Sequence, residues 1–190
     1  MISIQKDIEI NGDGSKVVMG NDNSQNYHNH FGTKSKLSNL FDRLKETFEN
    51  GDEVSRISED LKRYTTIKDT LGLEEKLRLA NKSHLFDDYS ELKQEFNKKL
   101  TKYQYYEPAQ DIFSYILAIV LEKYRNVIRP KIQNKEPEQQ ILLAISTEIV
   151  NPILTIIREE GCNDIIGLTS TEIEGMYHYL TGNCHIKWDL

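Results

Sequence analysis

The sequence predicts a mainly α protein: a six- to seven-helix domain carrying a short N-terminal β-meander or hairpin. Three observations point there. From Lys36 onward, apolar residues recur with the 3.6-residue period of helices packed on one side. Across residues 1–34, apolar and polar residues instead alternate in short runs. The helical part is divided by proline, glycine and asparagine where helices start and stop.

The leader, residues 1–34, comes first. Ile4, Ile8 and Ile10 alternate with polar residues, as in a half-buried strand. Asn11-Gly12-Asp13-Gly14 is a turn, because glycine and asparagine tolerate positive φ. Val17 and Val18 sit in a second strand. Gly20-Asn21-Asp22-Asn23 makes a second turn, and residues 25–31 a third strand. Three strands this short do not hold together alone in water. Their open edges favour pairing with the helical part, another copy or another protein. Ile8, Ile10, Asn11, Gly12, Asp13, Val17, Val18, Gly20 and Asn23 are therefore candidate assembly residues. Asp13 and Asp22 lie nine apart, as in calcium-binding β-rolls, but two copies with an incomplete glycine pattern favour a plain meander.

The helical domain, residues 35–190, follows. Leu37, Leu40, Phe41, Leu44 and Phe48 form one stripe, stopped at Asn50-Gly51. Val54, Ile57, Leu61 and Tyr64 read as the next, and residues 71–80 as a short helix or turn. Ser83 or Asp87 is placed to cap a helix carrying Leu85, Tyr89, Leu92, Phe96, Leu100 and Tyr103. Pro108 suits the first turn of the following helix. That helix is the most apolar, with Ile112, Phe113, Ile116, Leu117, Val120, Leu121, Tyr124 and Ile128, so it is expected at the centre and is expected to end at Pro130. Pro137 opens the next, with Ile141, Leu142, Ile145, Ile149 and Val150. Pro152 starts a new helix or kinks this one, and Ile153, Ile156 and Ile157 continue the face to Gly161. Thr169 and Glu172 form a capping box for a last helix that carries Ile173, Met176, Tyr177 and Leu180 and stops at Gly182.

A chain of 190 residues buries about 70% of its unfolded surface and needs no staple to fold. The net charge of −6 argues against a general nucleic-acid binder. Two cysteines do not make a secreted disulfide framework, and the N-terminus lacks the apolar core of a signal peptide. The apolar run around residues 115–121 is far short of the ~20 residues that span a bilayer. The expected setting is the cytoplasm, away from membrane.

No complete catalytic or cofactor motif is present: GxSxG, the P-loop and GxGxxG are all missing. The expectation is a chain that is not an enzyme and holds no cofactor. His28 and His30 share a face of a strand, which supplies two metal ligands and not a site. Cys162, His178, Cys184 and His185 carry zinc-type donors, but no CxxC is present and adjacent Cys-His point apart on an extended chain. A packed tail, with Cys184, Ile186 and Trp188 alternating on one face, is the preferred reading. Lys98, Lys99 and Lys102, beside Tyr103, Tyr105 and Tyr106, mix charge with aromatic rings as single-strand binders do. The competing reading is a solvated lysine face over an apolar stripe.

The ending GMYHYLTGNCHIKWDL resembles the C-terminal domain of bacterial ABC-three-component systems, the group that includes Lamassu-type anti-phage defence. Gly175, Met176, Tyr177, Leu180, Thr181, Gly182, Asn183, Cys184, His185, Ile186 and Trp188 carry the likeness. Residues 73–77, Lys93, Phe96, Lys98, Lys99, Ala109, Gln110 and the run IVNPIL at 149–154 add to it. The leader is similar to the IxINGDxNxVVxGxxN segments of bacterial conflict proteins, departing at Ser15. The resemblance implies an all-α domain that docks or oligomerises an effector beside an SMC-like ABC ATPase. Met1 stands directly before the leader, so the expectation is a standalone adaptor and homo-oligomer. The alternative is a nucleic-acid sensor using Lys98, Lys99, Lys102 and Tyr105.

Overall fold

The computed structural model describes residues 35–68, 71–161 and 163–188. These residues belong to one unit, Lys34–Leu190. Among the described residues there are seven helices and no strand. They are α1 (Lys36–Asn50), α2 (Glu59–Thr65), α3 (Leu73–Leu79), α4 (Phe86–Tyr103), α5 (107–133), α6 (Glu138–Glu160) and α7 (Ser170–Gly182). The expected leader strands, with Ile8 to Asn23 and the pair His28 and His30, lie outside the described residues, as does Cys162.

α5 is the central helix. α1, α2, α4 and α7 all pack on it, and Ile112, Phe113, Leu117 and Val120 are fully buried. The most extensive helix pair is α4 with α7. The two run antiparallel, because Tyr89 meets His178, Leu92 meets Gly175, and Tyr103 reaches back to Ile165. Several local signals act as the sequence suggests. Ser35 caps α1 through its side chain, and Gly51 ends it with φ of 71°. Pro108 lies in the first turn of α5. Thr169 and Glu172 close a full capping box at the start of α7.

Other expectations are corrected. Val54 and Ile57 precede α2 in a loop, and only Leu61 and Tyr64 of that stripe are helical. The loop is fixed instead by the Val54 N–H donating to the Tyr105 carbonyl at 2.7 Å. Neither Ser83 nor Asp87 caps α4: a 3₁₀ turn, Ser83–Leu85, leads straight into it.

The prolines differ most. Pro130 does not end α5. Pro152 lies inside α6, so of its two expected roles only the helix start is ruled out. Each proline sits two residues beyond a five-residue π turn, Tyr124–Ile128 in α5 and Ser146–Val150 in α6. A proline inside an α-helix lacks an N–H and drives its ring into the carbonyl four residues back. The wide turn relieves this. Arg129 N–H bonds the Tyr124 carbonyl and Asn151 N–H the Ser146 carbonyl, each five residues back. The helices run on to Gln133 and Glu160.

Both π-containing helices bury side chains at every fourth position. In α5 these are Ile112, Ile116, Val120, Tyr124, Ile128 and Ile132; in α6 they are Ile141, Ile145, Ile149, Ile153 and Ile157. By length and composition α6 could cross a membrane, yet those isoleucines are core residues of the fold.

Candidate functional site

The residues singled out in the ending gather at one end of α7, against α2, α3, α4 and α5. α7 stops at Gly182, as expected, and the chain goes on into a complete Schellman turn. His185 N–H donates to the Leu180 carbonyl at 2.9 Å, and Cys184 N–H to the Thr181 carbonyl at 3.1 Å. The left-handed residue of that turn is Cys184, with φ of 66°, and not Gly182. Hence the tail does not alternate on one face from Cys184 onward. Cys184 is half-buried and turned aside, while Ile186 and Trp188 are buried.

Polar groups of the turn find partners on α2, on α3 and at Leu71, just before α3. The Asn183 side-chain amide donates to the Tyr64 carbonyl at 3.2 Å. Cys184 Sγ lies 3.3 Å from the Leu71 carbonyl. The Lys76 ammonium, buried, donates to the Thr181 carbonyl at the negative end of the α7 dipole. Farther on, the Tyr124 hydroxyl donates to the Lys187 carbonyl and accepts the Lys187 N–H, both at 3.0 Å.

Beneath the turn lies an aromatic knot. His178 stacks on Tyr89 with ring centroids 3.6 Å apart, and Trp188 stands 6.0 Å from Tyr89 and 6.1 Å from Tyr177. Met176, Tyr177 and Leu180 are fully enclosed. Among the described residues, the Tyr177 hydroxyl, both His178 nitrogens, His185 Nε2 and the Trp188 indole N–H find no hydrogen-bond partner. Glu174 comes within 3.9 Å of His178 Nε2, too far for a hydrogen bond. Burial pushes the His178 imidazole below its ordinary value, with Glu174 opposing. Burial, then the nearby Lys68, takes His185 down to about 4. Burial raises the phenols of Tyr89 and Tyr177.

Among the described residues, no group of three or more His, Cys, Asp or Glu is placed to hold a metal. His178 and His185 are packed as rings.

The basic run on α4 is divided among separate contacts. Lys98 pairs with Glu95 at 2.5 Å. Lys99 donates to the Ile166 carbonyl at 2.6 Å, holding the 163–168 loop with the Tyr103 hydroxyl, which bonds the Ile165 carbonyl at 2.9 Å. Lys102 lies over the Phe48 and Tyr103 rings, 4.8 Å from the latter's centroid. Tyr105 is 42% exposed, whereas Tyr103 and Tyr106 are buried.

Sequence reading missed three features. Lys76 sits in an ordinary charged run, with nothing marking it as buried. Gly175 permits the closest approach of α4 and α7: a Cβ there would stand 2.2 Å from the Leu92 carbonyl oxygen. Asp60, Asp111 and Glu160 converge on one cavity from three separate helices.

These features define a class of protein: an all-α domain closed by its own C-terminal segment, whose marked residues bond to the rest of the same domain. The particular family follows from comparison. Residues 72–188 match the family model for C-terminal domain 9 of the ABC-three component (ABC-3C) systems, and the chain belongs to that family. As a member it is a component of a multi-component ABC-3C system. No curated protein and no solved structure matches the chain.

Proposed function

We propose that this protein is a non-catalytic adaptor and assembly subunit of a bacterial, cytoplasmic anti-phage defence complex of the Lamassu type. Its helical body docks partner subunits, an SMC-like ABC ATPase or an effector, and its leader joins copies of the chain. The observation that carries the reading is the family match across residues 72–188. The terminal turn supports it. Lys76, Asn183, Cys184 and Tyr124 are engaged in holding one segment against the helices, the arrangement of a structural closure. The leader's part rests on its sequence, which has too few strands to stand alone.

Co-expression with the neighbouring genes of its own operon tests the docking part: an ABC ATPase or effector subunit is expected to co-purify. Recovery of the chain without either ends it. Light scattering on the full chain and on a variant lacking residues 1–34 tests assembly. Equal monomeric masses end that part.

A further inference from the structure

A cavity of about 380 Å³ opens between α1, α2, α5 and the end of α6. That volume is in the range of specific ligand pockets. Its floor is apolar, made by Leu37, Leu40 and the Tyr64 ring. Tyr115 stands at its edge, 45% exposed on a helix whose other large apolar side chains are mostly buried. Asp60, Asp111 and Glu160 reach the wall from three helices, and among the described residues Lys36 is the cation lining it.

The three carboxylates differ. Glu160 accepts a hydrogen bond from the Ser35 hydroxyl at 2.5 Å, which ties it to the start of α1. Asp111 is half-buried and makes no hydrogen bond or ion pair with any described residue. Its carboxyl is held above the ordinary range by burial first and then by Glu107, with Lys36 and Arg43 opposing and Asp60 adding to the rise. A half-buried, unpaired carboxylate beside an apolar floor suits a cation that arrives with apolar surface attached.

We propose that this groove is the docking site for a segment of a partner protein that seats an arginine or lysine against Asp111 and apolar side chains on Leu37, Leu40 and Tyr64. The charge of the wall selects the cationic residue, and the floor selects its apolar neighbours. A segment with both makes a charge-assisted hydrogen bond that neither a free amine nor a purely apolar helix combines with burial. This deepens the docking function proposed above and rests on it.

The test uses the full chain and two peptides: an amphipathic leucine-alanine peptide with a single arginine, and the same peptide with citrulline in its place. Calorimetry is expected to show the arginine peptide binding about tenfold or more tightly than its neutral twin. Asp111→Asn is expected to erase that difference while leaving the circular dichroism spectrum and melting temperature unchanged. Tyr115→Glu, at an exposed edge, is expected to weaken both peptides. Equal affinity for the two peptides on the wild type overturns the proposal. So does discrimination that survives Asp111→Asn, or free argininamide that binds as well as the peptide. Loss of self-association on Asp111→Asn would make the occupant a second copy of the chain and overturn the choice of partner.

Operon co-purification separates the two readings. If the ATPase or effector is recovered equally with wild type and Asp111→Asn, docking stands and the groove is not where it occurs. If wild type recovers neither, the docking function fails and the peptides alone decide whether the groove binds cationic segments.

Discussion

Gly175 on α7 and Leu92 on α4 lie so close that a methyl group on the glycine would stand 2.2 Å from the Leu92 carbonyl oxygen and 2.9 Å from Phe96 Cβ. Neither neighbour is a flexible side-chain tip, so the backbones must part to admit it. Gly175→Ala is expected to cost about 3 kcal/mol or more, at the upper end of overpacking effects, read from urea unfolding. For Gly182→Ala the three nearest atoms all belong to the Lys93 side chain, whose ammonium end can swing away. That substitution is expected to cost well under half as much.

Cys184 provides a second contrast. With φ of 66°, it occupies the position of the Schellman turn usually held by glycine. Cys184→Gly relieves the left-handed backbone but loses the contact to the Leu71 carbonyl, so stability is expected to change by less than about 1 kcal/mol. Cys184→Val, β-branched in a left-handed conformation, is expected to lose about 2 kcal/mol. Melting temperatures of the two variants check the order.

Tyr124→Phe removes one oxygen and leaves both the N–H and the carbonyl of Lys187 without that partner. The expected loss is about 1–2 kcal/mol, the net worth of two hydrogen bonds in a part-buried setting. Hydrogen exchange is expected to speed most at Lys187, showing that the tail, and not the central helix, has loosened.

Acid is expected to weaken the fold through two histidines. Burial holds both His178 and His185 below their ordinary value, His185 to about 4. The unfolded chain therefore binds protons more readily, and protonation favours unfolding. The contribution is complete above about pH 6.5, the ordinary histidine value, and declines as pH falls toward 4. Urea midpoints across that window are expected to drop, and His185→Gln is expected to flatten the slope. An unchanged slope in that variant would remove His185 from the account.

What was legible in the chain was whatever repeats locally. The α1 stripe, the α5 stripe and the Thr169–Glu172 box each depend on residues a few positions apart, and each formed as read. The prolines misled because their rule assumes a regular α-helix. Nothing in the residue pattern announces that a hydrogen bond will reach five residues back. The last helix does stop at Gly182, as read, but the left-handed residue of the turn that follows is Cys184, which no residue pattern marks. The contact between Lys99 and the Ile166 carbonyl, and the convergence of Asp60, Asp111 and Glu160, join residues about fifty or more positions apart in the chain. One sequence offers no signal for such meetings.

The π turns bear on which length changes the gene can tolerate. Removing one residue from an ordinary helical stretch rotates everything downstream by about 100° and takes the isoleucines off the core. Within Ser146–Val150 the wide turn already holds one residue more than an α-helical turn does. A one-codon deletion there restores regular winding and keeps Ile153 and Ile157 facing inward, provided Pro152 is replaced in the same allele. The proline and the extra residue are thus expected to be gained or lost together.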